Sequence, residues 1–320
     1  MKKKYKINKA FIIITVLTAL LMIAFITMGL TERNMNYFLP KRLIKMWTVL
    51  LVSYCIGYSA VTFQTITNNK ILTPSVMGLD SLYLFIQTFV VFFFGSGGLS
   101  MMTGYTQFFI SVGAMVGMSF LLFIFLFKGD GKNIYFLVLA GMILGNLFGG
   151  MSTFMQVLLD PNEFLILQGK MFASFNNINT DLLGICTVIV AIVIVITYKD
   201  LKYLDVISLG QDHAINLGVP YKRVVMKTLM IISVVISIST VLAGPITFLG
   251  ILVVSLSREM QKTYKHTKLV AGAIMLGAFA LTFSILLVER VFAFETTSSV
   301  IINFVGGVYF IYIMIKESKR

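Results

Sequence analysis

Residues 228–257 read TLMIISVVISISTVLAGPITFLGILVVSLS, without a single charge. A charged side chain at the centre of a membrane helix costs about 2.5–3.5 kcal/mol, so stretches lacking Asp, Glu, Lys and Arg mark candidate passes. This stretch is long for one upright crossing at about 1.5 Å per residue. The AGP at 243–245 is therefore either a kink in one tilted helix or a turn between two short ones. The choice fixes the direction of every later segment.

Other charge-free stretches cover 10–30, 46–69, 81–127, 133–159, 182–198, 269–288 and 296–315. The stretch 81–127 is too long for one crossing, and GSGGLS at 95–100 supplies a turn that splits it. With two helices in 228–257 the chain makes ten passes, and 20 Lys and Arg fall on the cytoplasmic side against six outside. With one helix it makes nine, and the split becomes 14 against 12. Basic residues collect on the cytoplasmic side, so ten passes are expected, with both termini cytoplasmic. Residues 31–45, 95–100, 160–181, 243–245 and 289–295 then lie outside. Residues 67–75, 128–132, 199–227 and 258–268 face the cytoplasm.

Composition agrees with an all-α integral membrane protein: 58% of residues are hydrophobic, 12% are charged, and the mean hydropathy is +0.92. Passes consume nearly all of the 320 residues, which leaves a single membrane domain over 1–320. The net charge of +13 follows from the positive-inside bias, and nucleic-acid binding is not expected. Cys55 and Cys186 fall in apolar runs and read as small hydrophobes. The opening MKKKYKINK resembles a signal peptide's basic start, but the apolar run 10–30 is too long and no A-x-A site follows. It reads as an uncleaved first helix.

Ten helices suit a transporter, and the source of energy is the next question. Ion-coupled carriers keep ionisable side chains at membrane depth, whereas this chain offers little beyond Asp80. That residue follows the PSVMG turn, where an acid favoured by a helix N-terminus and a functional acid are both open readings. No G-x-x-x-x-G-K-[ST] is present to cradle ATP, and KGDGK at 128–132 has the wrong spacing. Nucleophile elbows, paired carboxylates and His-x-x-x-His are absent, and His213 and His266 both fall in loops. An enzyme is not expected, and no cofactor or metal is expected to bind directly. A pore, a structural protein and a permease powered by another subunit remain.

The longest cytoplasmic loop, 199–227, carries ISLGQDHAINLGVP at 207–220. A short helix over 209–217 is expected there, with Ser208 as N-cap, Asp212 early, Gly218 at C′ and Pro220 as a stop. Leu209, Ala214 and Leu217 can share one face. Such a helix either rests on lipid headgroups or seats in a groove of a partner.

SLGQDHAINLGVPYKRV at 208–224 resembles the cytoplasmic loop of permease subunits of ABC importers for iron-siderophores, haem and vitamin B12, where S-L-G-E-E-x-A-x-x-L-G-V recurs. AGPITFLGILV at 243–253 is similar to that family's AGPIGFVGLVV. Gln64 with NNKILTPSVMG at 68–78 is similar to Q-x-x-x-R-N-P-L-A-D-P-x-x-L-G. LQGKMFASF at 167–175 resembles L-G-S-L-S-G-A-S-W, and ETTSSVIINFVGGVYFIY at 295–312 resembles E-L-P-V-G-x-x-T-A-L-I-G-A-P-F-F-L-Y. The five segments keep the family's order from about residue 50 to the C-terminus. There are departures: Asn68 replaces an Arg, Thr73 an Asp and Phe175 a Trp, and of V-V-P-H-I-A-R only Val253, Val254 and Arg258 survive.

The resemblance implies a ten-helix type II ABC importer permease in the bacterial cytoplasmic membrane. It implies that Ser208, Leu209, Gly210, Gln211, Asp212, His213, Leu217 and Gly218 dock on a cytoplasmic P-loop ATPase, two copies of which supply ATP hydrolysis. It also implies a second permease, identical or a paralogue, and an external substrate-binding lipoprotein. Lys41, Arg42, Lys45 and Arg290 are the outer cations that fit such docking, or they snorkel to membrane lipid phosphates. Gln64, Asn146, Ser152, Thr153 and Gln156 are polar residues that line a path or bond helix to helix. Gly141, Gly145, Gly149 and Gly150 read as close helix packing. Iron(III)-siderophore is the expected cargo, with haem and cobalamin as alternatives and an ion-coupled carrier or channel as the rival class.

Overall fold

The computed structural model describes residues 9–101, 104–127, 134–176 and 178–318. The basic stretch 1–8, the KGDGK at 128–132 and the last two residues of the tail lie outside the described residues. Among the described residues the chain is helical throughout, with no strand. The helices are α1 (Lys9–Thr27), α2 (Met35–Ile66), α3 (Leu79–Met101), α4 (Gly104–Phe127), α5 (Ile134–Leu158), α6 (Pro161–Met171), α7 (Thr180–Tyr198), α8 (Leu201–Ile207), α9 (Gln211–Asn216), α10 (Tyr221–Ala243), α11 (Leu249–Gln261), α12 (His266–Arg290) and α13 (Ser298–Ser318). A 3-10 turn over Pro74–Met77 precedes α3.

Eight of these are long and apolar enough to cross a membrane: α1, α2, α4, α5, α7, α10, α12 and α13. The other two expected passes are shorter. The apolar part of α3 is Leu79–Gly95, and α11 has 13 residues. At about 1.5 Å per residue, α11 spans roughly two thirds of a 30 Å hydrocarbon layer.

The stretch 228–257 is broken into two helices, and side-chain contacts give their directions. Near its start α10 pairs Lys227 with Asp200 at 2.6 Å, and α12 begins at His266 against Asp205, so both start on the face that carries the 199–227 loop. At the opposite face the Ser174 N–H donates to the Ala243 carbonyl at the end of α10 (2.8 Å). There too, Arg290 at the end of α12 donates to the Met28 carbonyl (3.1 Å). With α10 and α12 parallel, α11 must return between them, so AGP is a reversal rather than a kink. Gly244 makes it possible: its φ of +91° is disfavoured for L side chains, and a Cβ there would lie 2.7 Å from the Ala173 Cα.

GSGGLS does not form the simple turn expected of it. The helix breaks at Gly95 (φ 67°, ψ 178°) and resumes to Met101. The expected outer loop 160–181 likewise contains α6, begun by Asp160, whose carboxylate accepts the Asn162 N–H (3.0 Å).

α2 is the axis of the bundle and is buried from Val49 to Thr65 with few interruptions, packing on α10, α11 and α12. Several of its Ser and Thr hydroxyls return to carbonyls one turn back, as Ser59 does to Cys55 and Thr62 to Tyr58, which satisfies those donors in the apolar core. Cys55 and Cys186 are both buried free thiols, as small hydrophobes would be.

Candidate functional site

The 199–227 loop folds into two short helices rather than one. α8 buries Leu201, Leu204 and Ile207, a one-sided i, i+3, i+6 stripe, against the bundle. Both of its ends are tied down. Asp200, at its start, pairs with Lys227 of α10. Asp205 accepts the backbone N–H of His266 (2.7 Å) and contacts its ring Nδ1 (2.7 Å), while the ring Nε2 meets Thr65 Oγ1 of α2 at 2.7 Å. His266 is thus no loop histidine but a buried link among α8, α12 and α2. Removing one member of such a network leaves a buried polar group unsatisfied, at a cost of about 1–3 kcal/mol.

Ser208 does not cap the second helix. Its Oγ donates to the Asp205 carbonyl (2.7 Å), so it ends α8, and α9 runs over Gln211–Asn216 instead of the expected 209–217. The residue between the helices is Gly210, at φ +107° and ψ 161°. A Cβ there would meet nothing within 4 Å, so the requirement is set by the backbone alone. The far end is as expected: Gly218 takes the left-handed C′ position. The Val219 N–H donates to the Ala214 carbonyl (3.0 Å) and the Gly218 N–H to that of Ile215 (2.9 Å), a Schellman closure.

The apolar face is also redistributed. Ala214 is 0% exposed and anchors α9 inward, whereas Leu209 (59%), Ile215 (50%) and Leu217 (65%) project outward. A small inward residue lets a six-residue helix sit close while its large residues remain outside. Gln211, Asp212 and His213 rim this surface. An open groove of about 740 Å³ continues from Ile215 past Val219 to Met226 and Met230. A fixed base carrying an exposed apolar tip suits a groove of a partner and a layer of lipid headgroups alike.

Residues 7–316 match the FecCD transport family. The chain belongs to that family. It is 51% identical over 286 residues to the petrobactin import system permease protein YclO of Bacillus subtilis (strain 168), covering 89% of this chain and 91% of that protein. It is 39% identical to the petrobactin import system permease protein FatC of Bacillus anthracis, over 87% of this chain and 78% of that one. Among solved structures, an inward-facing metal-chelate type ABC transporter superposes with a TM-score of 0.83 over 96% of this chain and 99% of its own, at 21% identity. That likeness fixes the fold, an ABC transporter permease bundle, and with the FecCD match makes this a multi-pass protein of the bacterial membrane.

The other candidate residues of this FecCD chain fall in two regions. On the face opposite the loop, Arg42 donates to the carbonyls of Phe25, Ile26 and Met28 (3.2, 2.9 and 2.7 Å), closing the end of α1 with a cation at the negative end of its dipole. Arg290 reaches the same Met28 carbonyl. Lys45 pairs with Glu289 at 2.5 Å and donates to Asn176 (3.0 Å). These three therefore have structural partners, whereas the exposed Lys41 contacts Tyr37 of its own helix (2.6 Å).

The polar residues of the expected path fall in separate places within this chain. Ser152 and Gln156 join Thr88 of α3 in a hydroxyl–amide network (Thr88 to Ser152 2.8 Å, Gln156 to Ser152 2.9 Å), which is helix–helix bonding. Asn146 and Thr153 face outward on α5, together with Gly150. Gly141 and Gly145 pack on the backbone at Met77 and Gly78 as expected, but Gly149 and Gly150 have nothing within 4 Å. Gln64 is buried at the loop-bearing end of α2. Asp80 accepts from Thr240 (3.3 Å) in a small cavity shared with Ser59 and Thr73. The sequence reading missed α8 and its Asp200 and Asp205 anchors, because charged residues in a loop carry no pattern until their partners are known.

Proposed function

We propose that this chain is the permease subunit of an ABC importer that brings an iron(III)-siderophore across the cytoplasmic membrane, with petrobactin-type chelates as the leading cargo. The observation that carries this reading is the 51% identity, over nearly the full length of both chains, to a petrobactin import permease. The relatives named for petrobactin and iron(3+)-hydroxamate import favour a siderophore over haem and cobalamin, the other cargoes suggested by the family resemblance.

In this reading the loop-bearing face is cytoplasmic, both termini lie on that side, and the chain crosses ten times. The positive-inside bias supports that orientation. α9 seats in a groove of a P-loop ATPase: Leu209, Ile215 and Leu217 fill it, and Gln211, Asp212 and His213 bond its rim. A push on α9 passes through α8 to α10, α12 and α2, because Asp200 and Asp205 join them. Two such bundles rocking against each other would alternate access. The second permease, self or paralogue, belongs against the outward stripe of Asn146, Gly150 and Thr153, where small and polar residues suit helix contact. An extracytoplasmic binding lipoprotein meets the opposite face.

Deleting the gene for this chain is expected to abolish uptake of radiolabelled ferric petrobactin in the native cell, and restoring the full chain to recover it. Uptake that persists unchanged, or that the chain supports alone in vesicles without an ATPase, sinks the assignment. For the lipoprotein, Lys41→Glu is expected to weaken docking about threefold to tenfold at low salt, since a rim charge acts mainly through steering. Unchanged affinity at low salt removes Lys41 from that interface.

A further inference from the structure

On the loop-bearing face, a cavity of about 660 Å³ opens among α2, α11, α12 and α13. Its size falls within the roughly 300–1,000 Å³ of small-molecule sites. Two of its lining side chains are unsatisfied. Gln64 is 2% exposed, yet neither its Nε2 nor its Oε1 has a partner. Arg258 is half-buried, its Nε is cut off from solvent without a partner, and among the described residues no carboxylate pairs with it. Glu259, which also lines the cavity, pairs with Lys316 there (3.3 Å). Exposed Lys70 and Lys262 stand at the edge of the same cavity.

Buried polar groups in folded proteins are nearly always satisfied, and a desolvated guanidinium without a counter-charge is costly. A ligand that satisfies both side chains carries negative charge for Arg258, an acceptor for the Gln64 amide and a donor for its carbonyl oxygen. A protonated phosphate or a hydroxyl-bearing phosphodiester has all three. Guanidinium pairs with phosphate in fork geometry, and the two lysines add steering at the mouth.

We infer that the cavity framed by Gln64, Arg258, Lys70 and Lys262 binds a phosphate group. The group arrives either as a free anion or as the headgroup of an acidic phospholipid. The cavity also touches Ser208, at the junction of α8 and α9, so an occupant would rest against the root of the docking element.

The test uses the full-length chain in nanodiscs of phosphatidylcholine, with whichever subunits co-purify. Thermal stability is followed as inorganic phosphate is titrated or phosphatidylglycerol is mixed into the bilayer. Wild-type protein is expected to show a saturable rise in Tm with at least one of the two. A rise with phosphate identifies the free anion, and a rise with phosphatidylglycerol alone identifies the headgroup. Arg258→Gln is expected to shift the midpoint about tenfold or more, while its Tm without anion is no lower than wild type, since an unpaired charge is being removed. Gln64→Leu gives a second, independent shift should Arg258→Gln fail to fold. Lys202→Gln, an exposed lysine on α8, serves as the control for surface charge. No rise in wild type, an equal rise in Arg258→Gln and Gln64→Leu, or the same loss in Lys202→Gln overturns the site.

Discussion

Leu217→Asp is expected to leave the chain folded in the membrane and to abolish uptake. Leu217 is 65% exposed, so the substitution removes almost no buried surface, and changes at such positions stay within about 0.5 kcal/mol of wild type. On the proposed ATPase the same carboxylate would enter an apolar groove, where an unpaired charge costs several kcal/mol, and each 1.4 kcal/mol is about tenfold in affinity. Loss of ATPase co-purification by about a hundredfold or more is expected, at unchanged expression. Gly210→Val reaches the same end by another route. A β-branched residue at φ +107° costs about 1–3 kcal/mol in strain, which the loop relieves by re-aiming α9 against α8. Should Leu217→Asp retain both the co-purifying ATPase and wild-type uptake, α9 is not the docking element.

Gly244→Val is expected to have the opposite signature, with little folded protein at all. Its new Cβ would lie 2.7 Å from the Ala173 Cα and 3.0 Å from the Phe172 carbonyl oxygen, backbone atoms that cannot swing aside. Ala173 is itself held by its N–H to Ser299 Oγ (3.0 Å) at the start of α13. Three segments meet there, so relief at one disrupts the other two. Backbone strain and overpacking together come to about 4 kcal/mol, enough to unfold a marginal bundle. Gly149→Val, on a helix position with nothing within 4 Å, is the control expected to express normally. Equal yields of monodisperse protein from the two variants would show that the reversal tolerates a side chain.

Much of the bundle was legible because membrane insertion writes a strong one-dimensional signal. Charge-free length marked α1, α5, α7 and α12 to within a few residues, and the imbalance of Lys and Arg decided that AGP separates two helices. The Gly218 and Pro220 stop was readable for the same reason, since C-terminal helix signals are local. Ser208 was misread because a serine ahead of an apolar run can cap the following helix or close the preceding one, and α8 is too short to announce itself. Arg42, Lys45 and Arg290 looked like free surface cations. Their partners, the Met28 carbonyl and Glu289, sit on distant segments that only the folded chain brings near. Gln64 was noticed as polar in an apolar helix, but its unmet donors and acceptor belong to a cavity that no periodicity describes.

The division of the loop into a pinned α8 and an outward α9 has a consequence for how such transporters diversify. Residues of α8 answer to the bundle, so changes there are felt by α2, α10 and α12. Leu209, Ile215 and Leu217 are at least half exposed and bear less on the bundle. With α9 as the proposed docking element, mutations there would retune which motor the permease accepts without disturbing how it opens, so that engines could be traded while gates are kept.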